Sequence, residues 1–244
     1  LDNLVPQILP ANSDELNRLT DVVCENGYKR IDVNIGCPFP PIAAHGKGCV
    51  LFNYPDRLRE ILSAMANRTD VEYSMKIRLG FTSADQWREV VSNINDTPLR
   101  HVTVHARYGK QQYKGECDMA AFGQFVEACK HKVIYNGDIR SVEKAEEICR
   151  QFPTLLGIMV GRGVLSDLSL ARKMKGLEEL DTNNFRRFHS ELVDAHQQHM
   201  SGDKQLLGKL QPYWEYLYPE AEHKLRKNIM KANKLDVYLN SVAQ

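Results

Sequence analysis

Apolar and polar residues alternate through "RIDVNIG" (30–36). Ile31, Val33 and Ile35 fall on one side, and Asp32 and Asn34 on the other. A period of two is the mark of a strand with one apolar face. Strand-like runs return at 72–80 ("EYSMKIRLG"), 100–107 ("RHVTVHAR"), 132–138 ("KVIYNGD") and 155–163 ("LLGIMVGRG"), after a short apolar run at 5–9. Between them the apolar spacing widens to three and four. Leu16, Leu19, Val22 and Val23 place a helix over 13–27, with Ser13 as its cap and Gly27 as its stop. Leu58, Ile61, Leu62 and Met65 place another over 54–69, and further helices are expected at 83–96, 119–131 and 141–152.

Six β/α units in strict alternation predict a parallel sheet covered by helices. Polar residues gather at the strand ends: Asn34, Lys76, Arg78, His105, Arg107, Asn136, Asp138, Gly161 and Arg162. Chemistry at every strand end is the habit of a (β/α)8 TIM barrel. A doubly wound sheet would concentrate it at one switch point. Eight strands are needed and six are legible, so the expectation is a barrel lacking its first two β/α units, over residues 1–178. From about 181 the strands stop, and residues 179–244 read as an all-helical domain.

Composition adds little to this picture. Net charge is +1, so any nucleic-acid site must be a local patch. No apolar run reaches the roughly 20 residues of a membrane helix, and the N-terminus lacks the pattern of a signal peptide. The six cysteines form no CxxC pair. They are expected to be reduced thiols in a cytoplasmic protein without a metal site. Cys24, Cys129 and Cys149 fall on apolar helix faces and are expected in the core.

Cys37 differs, since Gly36 and Pro38 place it in a turn beyond a strand. It reads either as a small buried hydrophobe or as a functional thiol at the barrel mouth. Lys76 and Arg78 share a strand side, as do His105 and Arg107. An inward lysine there needs an anion or an electron-rich partner to offset its desolvation. The glycines of "YNGDI" and "MVGRG" permit close approach of backbone N–H groups to a ligand. Such loops late in a barrel often bind phosphate, and Arg162 would clamp it. "HGKGCVLFNYP" (45–55) reads as a lid. The loop "ARYGKQQYKGECDM" carries Arg107, Tyr108, Lys110 and Tyr113, a mixture of cationic and stacking side chains that suits RNA.

In order, "PQIL", "DVNIGCP", "KIRLG", "VTVHAR" with "YKG", "NGDI" and "VGRG" resemble the tRNA-dihydrouridine synthases of bacterial type, a flavin-dependent family. The helical tail with "KLQPYWEYL" is similar to the family's RNA-binding domain. The resemblance implies an FMN-binding TIM barrel that uses NADPH, acts on tRNA and is a monomer. It implies Cys37 as the catalytic acid, giving a proton to C5 of a uridine while hydride from FMN reaches C6. It implies flavin-site positions at Gln7, Asn34, Lys76, His105, Asn136, Gly137, Asp138, Gly161 and Arg162. A donor must hold its proton at working pH, and a thiol with a reference pKa near ~8.5 does so.

RNA contacts are expected from Arg78, Arg107 and Lys110, and from Lys224, Lys227, Lys231 and Lys234. The last four recur at helical spacing in a stretch without acids, beside an inward stripe of Leu225, Ile229 and Ala232. Two other readings stay open: a flavin barrel acting on a free pyrimidine or enoate, and a catalytically defective RNA-binding relative.

Overall fold

A computed structural model of the chain describes residues 4–217 and 223–243. Residues 218–222, where two of the helical segments expected within 179–244 meet, lie outside the described residues. The chain forms two compact units, one of residues 1–137 with 148–159 and one of 138–147 with 160–244. The boundary expected at 178/179 thus falls inside the second unit.

In the first unit, β1 (Gln7–Ile8) is followed by α1 (Ser13–Glu25) and β2 (Arg30–Ile35). Then come α2 (Pro40–Ala44), a 3-10 turn at Gly48–Asn53, α3 (Pro55–Ala66) and β3 (Glu72–Arg78). A 3-10 turn at Gln86–Glu89 and α4 (Val91–Asp96) replace the single helix expected over 83–96. β4 (Leu99–His105), α5 (Met119–Ala128), β5 (Val133–Asn136), α6 (Val142–Gln151) and β6 (Gly157–Met159) complete the series, α6 being shared by the two units. Asn12, not Ser13, caps α1, accepting the Glu15 N–H at 2.9 Å. Its extended backbone holds the oxygen over the first turn, as N-caps require.

All six strands are parallel and pair in the order β1-β2-β3-β4-β5-β6. A doubly wound sheet reverses its strand order at a switch point; this one does not, which is the winding of a TIM barrel. Register then decides which side chains meet. Asp32 pairs with Ser74, Asn34 with Lys76, Lys76 with Thr103, Arg78 with His105, and His105 with Asn136. One face of the sheet is therefore largely polar.

Ile8, Val33, Ile35, Met75, Ile77, Val102, Val104 and Tyr135 make the other face, and all are buried. The helices pack there. Thr20 of α1 hydrogen-bonds the Tyr73 hydroxyl (2.7 Å), and Phe122 of α5 meets Tyr135 edge to face at 5.0 Å. The core expectation fails for Cys149, which is exposed, while Cys24 and Cys129 are half-buried.

The second unit holds α7 (Arg162–Ser166), α8 (Leu170–Lys173), α9 (Thr182–Gln197), α10 (Asp203–Leu210), α11 (His223–Lys231) and α12 (Leu235–Val242). Phe185, Val193, Leu206, Leu210, Trp214 and Ile229 are among the residues of its core. Trp214 Nε1 donates to the Tyr238 hydroxyl at 2.9 Å. Burial pushes the His189 pKa down, and its Nε2 shares a hydrogen bond of 2.8 Å with that hydroxyl. Leu225, Ile229 and Ala232 turn inward as expected, leaving Lys224, Lys227 and Lys231 exposed. The helix ends at Lys231, so Lys234 is the N-cap of α12 and not a fourth step of one stripe. Among the described residues no helix is long and apolar enough to cross a membrane, and no cluster of metal ligands is present.

Candidate active site

The turn beyond β2 is held from several sides. The Asn34 side-chain oxygen accepts the N–H groups of Gly36 and Cys37, each at 2.9 Å. The backbone of β3 runs so close that a Cβ on Gly36 would lie 3.0 Å from the Ile77 carbonyl carbon. The Cys37 carbonyl accepts both the backbone N–H and the thiol of Cys49, each at 3.1 Å. Gly48 makes this return possible. Its φ is +70°, and a Cβ there would sit 2.4 Å from the Cys37 oxygen.

The two thiols therefore differ. Cys49 has 0% exposure, and burial pushes its pKa up to about 12. Cys37 is half-buried.

Lys76 stands beside Asn34 across the β2–β3 pair. It is half-buried, and no described residue forms an ion pair or hydrogen bond with its ammonium group. Desolvation pushes its pKa down, Arg78 pushes it further, and Asp32 partly opposes them. A cation held in this state favours an anionic or electron-rich ligand. Thr103, its register partner on β4, has a fully buried hydroxyl without a hydrogen bond. A half-buried cation without a partner among the described residues and an orphaned hydroxyl side by side fit a polar ligand on this face.

Arg78 and Arg107 differ from expectation. Both are 1% exposed, and both are engaged by the 108–117 loop instead of facing solvent. Arg78 donates to the carbonyls of Gln112 (2.7 Å) and Tyr108 (3.1 Å) and lies 5.4 Å from the Tyr113 ring centre. Arg107 donates to the Gly115 carbonyl (2.5 Å), the Cys117 sulfur (3.2 Å) and His105 Nε2 (3.3 Å). A guanidinium only donates, so Nε2 of His105 is the acceptor and its proton sits on Nδ1. Tyr113, 55% exposed, rests 6.0 Å from the His105 ring. Lys110 is exposed, its ammonium 6.0 Å from the Phe81 ring.

Asn136 continues the face and donates to the Met159 carbonyl at 2.9 Å. Gly137 has φ +153°, and a Cβ there would lie 2.5 Å from the Cys117 sulfur. In the second unit, Arg162 donates to Asp138 Oδ1 at 2.9 Å. A Cβ on Gly161 would meet nothing within 4 Å, so its backbone is open.

Of the expected site residues, Gln7, Asn34, Lys76, His105 and Asn136 share the polar face, with Cys37 in the turn above it. Asp138, Gly161 and Arg162 group within the second unit. Sequence reasoning missed Asp32, Ser74 and Thr103, and left Cys49 undecided between a role in the 45–55 segment and none. For Asp32 a signal existed, since it lies two residues before Asn34 and must share its face.

A family model described as "Dihydrouridine synthase (Dus)" matches residues 2–244. tRNA-dihydrouridine synthase B of Pasteurella multocida is 29% identical over 177 residues, covering 72% of this chain and 53% of that protein. A probable tRNA-dihydrouridine synthase of Helicobacter pylori strain J99 is 37% identical over 137 residues, covering 55% of this chain and 41% of the relative. The chain thus spans about half the length of the curated relatives it matches. Among solved structures, histamine dehydrogenase from Rhizobium sp. 4-9 aligns with a TM-score of 0.53 at 15% identity, covering 67% of this chain and 27% of that one. At that identity the likeness speaks for the fold alone.

Proposed function

The chain belongs to the dihydrouridine synthase family, and from that premise we propose that it reduces the C5=C6 bond of a uridine in tRNA, with FMN as its flavin and NADPH as the reductant. The observation that carries this reading is the Cys37 turn. The half-buried Cys37 is fixed at both its backbone N–H and its carbonyl, at the rim of a face that holds Lys76, which has no partner among the described residues.

FMN, when bound, would supply the hydride for C6 of the base. The rest falls to the chain's own side chains. Cys37 gives its proton to C5, which balances the addition of one hydride and one proton across the double bond. Cys49 cannot stand in for it, because a fully buried thiol has no access to a base. Lys76 and His105 would face the cofactor, with Gln7, Asn34 and Asn136 beside them on the same face of the sheet. Asp138, Gly161 and Arg162, grouped within the second unit, would suit its phosphate, as would the backbone of Gly137 at the end of the first unit's segment. The target base must leave its stack to reach this rim. Lys224, Lys227, Lys231 and Lys234 track the tRNA backbone, and Lys110 and Tyr113 stand at the mouth.

Purified protein with FMN, NADPH and unmodified tRNA is expected to form dihydrouridine, detected by nucleoside mass spectrometry. Cys37→Ala is expected to keep the flavin and lose most of the product. Equal turnover in that variant would remove the acid role from Cys37. A full complement of dihydrouridine in tRNA from cells lacking the gene would count against the activity itself.

A further inference from the structure

A chain of hydrogen bonds crosses β1, β2 and β3 on the polar face, and it runs one way. Ser74 Oγ donates to Asp32 Oδ1 (2.7 Å), and Gln7 Nε2 donates to Asp32 Oδ2 (2.6 Å). Gln7 Oε1 accepts from Asn34 Nδ2 at 2.8 Å. Asn34 Oδ1 then accepts the N–H groups of Gly36 and Cys37, each at 2.9 Å.

The direction of this chain is set at both ends, by the Asp32 carboxylate and by the backbone N–H groups of Gly36 and Cys37. A carboxylate accepts at both oxygens, whereas a primary amide has a donor end and an acceptor end that can exchange places. Asp32 makes Gln7 present its nitrogen, which turns the Gln7 oxygen toward Asn34. Asn34 must then give its nitrogen to Gln7, leaving its oxygen for the two backbone N–H groups. With the amides reversed, an NH2 group would face two N–H donors and the turn would lose its cap.

We propose that Asp32 is a positioning residue for Cys37, setting through Gln7 and Asn34 the orientation of the turn that carries the thiol. The proposal rests on the reading of Cys37 as the proton donor. Asp32 touches neither the thiol nor the base. Its role is to hold the Gln7 amide, and through it the Asn34 nitrogen, in the orientation that the two backbone N–H groups require. Ser74, 4% exposed, secures the other carboxylate oxygen.

The test is amide exchange resolved at Gly36 and Cys37 in the flavin-free full chain. Asp32→Asn keeps the size of the side chain but introduces a donor. Exchange at both amides is expected to rise on the order of three- to tenfold, the loss of one hydrogen bond. The Leu58 amide, bonded to the Tyr54 carbonyl at the start of α3, is expected to stay unchanged. Adding Gln7→Glu to Asp32→Asn moves the acceptor-only group one link along, where it still takes the Asn34 nitrogen. The double variant is expected to regain protection.

Unchanged exchange in Asp32→Asn would overturn the proposal, and so would a double variant as fast as the single one. Should Asp32→Asn loosen the whole unit, Gln7→Leu at an exposed position is expected to accelerate the same two amides, and its failure to do so would also overturn it. Dihydrouridine formation is read separately. If the amides respond as expected and turnover does not, the relay stands and the role of Cys37 falls.

Discussion

Replacing Lys76 with methionine is expected to move stability and ligand binding in opposite directions. The ammonium group is partly desolvated and has no partner among the described residues, and one of its two strand neighbours on the same side is another cation, Arg78. At the ~7 Å spacing of alternate strand residues and an effective dielectric of about 20, two like charges repel by about 2 kcal/mol, part of which Asp32 offsets. Methionine keeps the length and removes the charge. Lys76→Met is therefore expected to stabilise the flavin-free protein by about 1 kcal/mol, a rise of roughly 2–4 °C in Tm for a chain of this size.

FMN binding is expected to weaken by roughly 10- to 150-fold, the worth of one hydrogen bond to a charged group of about 1.5–3 kcal/mol. Thermal melts of the flavin-free protein and quenching of FMN fluorescence read the two effects. The pH dependence has a definite sign. Burial holds the Lys76 pKa below that of free lysine, so the charged form that attracts the ligand is present below the lowered value and lost above it. FMN affinity is expected to fall as pH rises through that value, while flavin-free stability rises between it and the pKa of free lysine. A variant that melts several degrees lower and binds FMN normally would refute the reasoning, because Lys76 would then be a structural residue.

Two further outcomes are open to direct measurement. Iodoacetamide near pH 8 is expected to modify Cys37 and leave Cys49 untouched until the protein unfolds, since burial holds the Cys49 thiol at about 12; peptide mass spectrometry showing equal labelling of both would contradict the geometry. Reversing charge at exposed Lys227 and Lys231 is expected to weaken tRNA binding and to flatten its salt dependence by roughly 0.7–0.9 log units per lost phosphate contact. A filter-binding titration with the same slope as the parent would take α11 out of the phosphate track.

Much of the fold was legible because periodicity reports faces directly. Alternation through 30–36 placed Asp32 and Asn34 opposite Ile31 and Val33, and the structure keeps that division. The register between strands was not legible. Nothing within "PQIL" or "DVNIGCP" says that Gln7 lies between Asp32 and Asn34; that follows from pairing Gln7 with Asp32 across β1 and β2. Cys49 was ambiguous for a similar reason. Its task depends on the chain returning to the Cys37 carbonyl, a tertiary contact made possible by Gly48. Lys234 was misplaced because spacing continues through a helix end that only the backbone reveals.

The arginines misled for a physical reason that also explains their form. "MKIR" and "VHAR" each end a strand with two basic residues on one side. In each pair the first, Lys76 or His105, lies on the face proposed to hold the flavin, and the second turns into the 108–117 loop. Arg78 spans two carbonyls four residues apart, Tyr108 and Gln112, and Arg107 spans Gly115, Cys117 and His105. A guanidinium can do this because its donors spread over a planar fork, whereas a lysine concentrates its three donors on one nitrogen. Burying either charge without those carbonyls would cost several kcal/mol, so loop and arginine stabilise each other. The same bonds leave Tyr113 exposed near His105 and fix the His105 tautomer. Charge type suggested contact with RNA, whereas 1% exposure and bonds to loop carbonyls assign these two residues to shaping the loop at the mouth of the site.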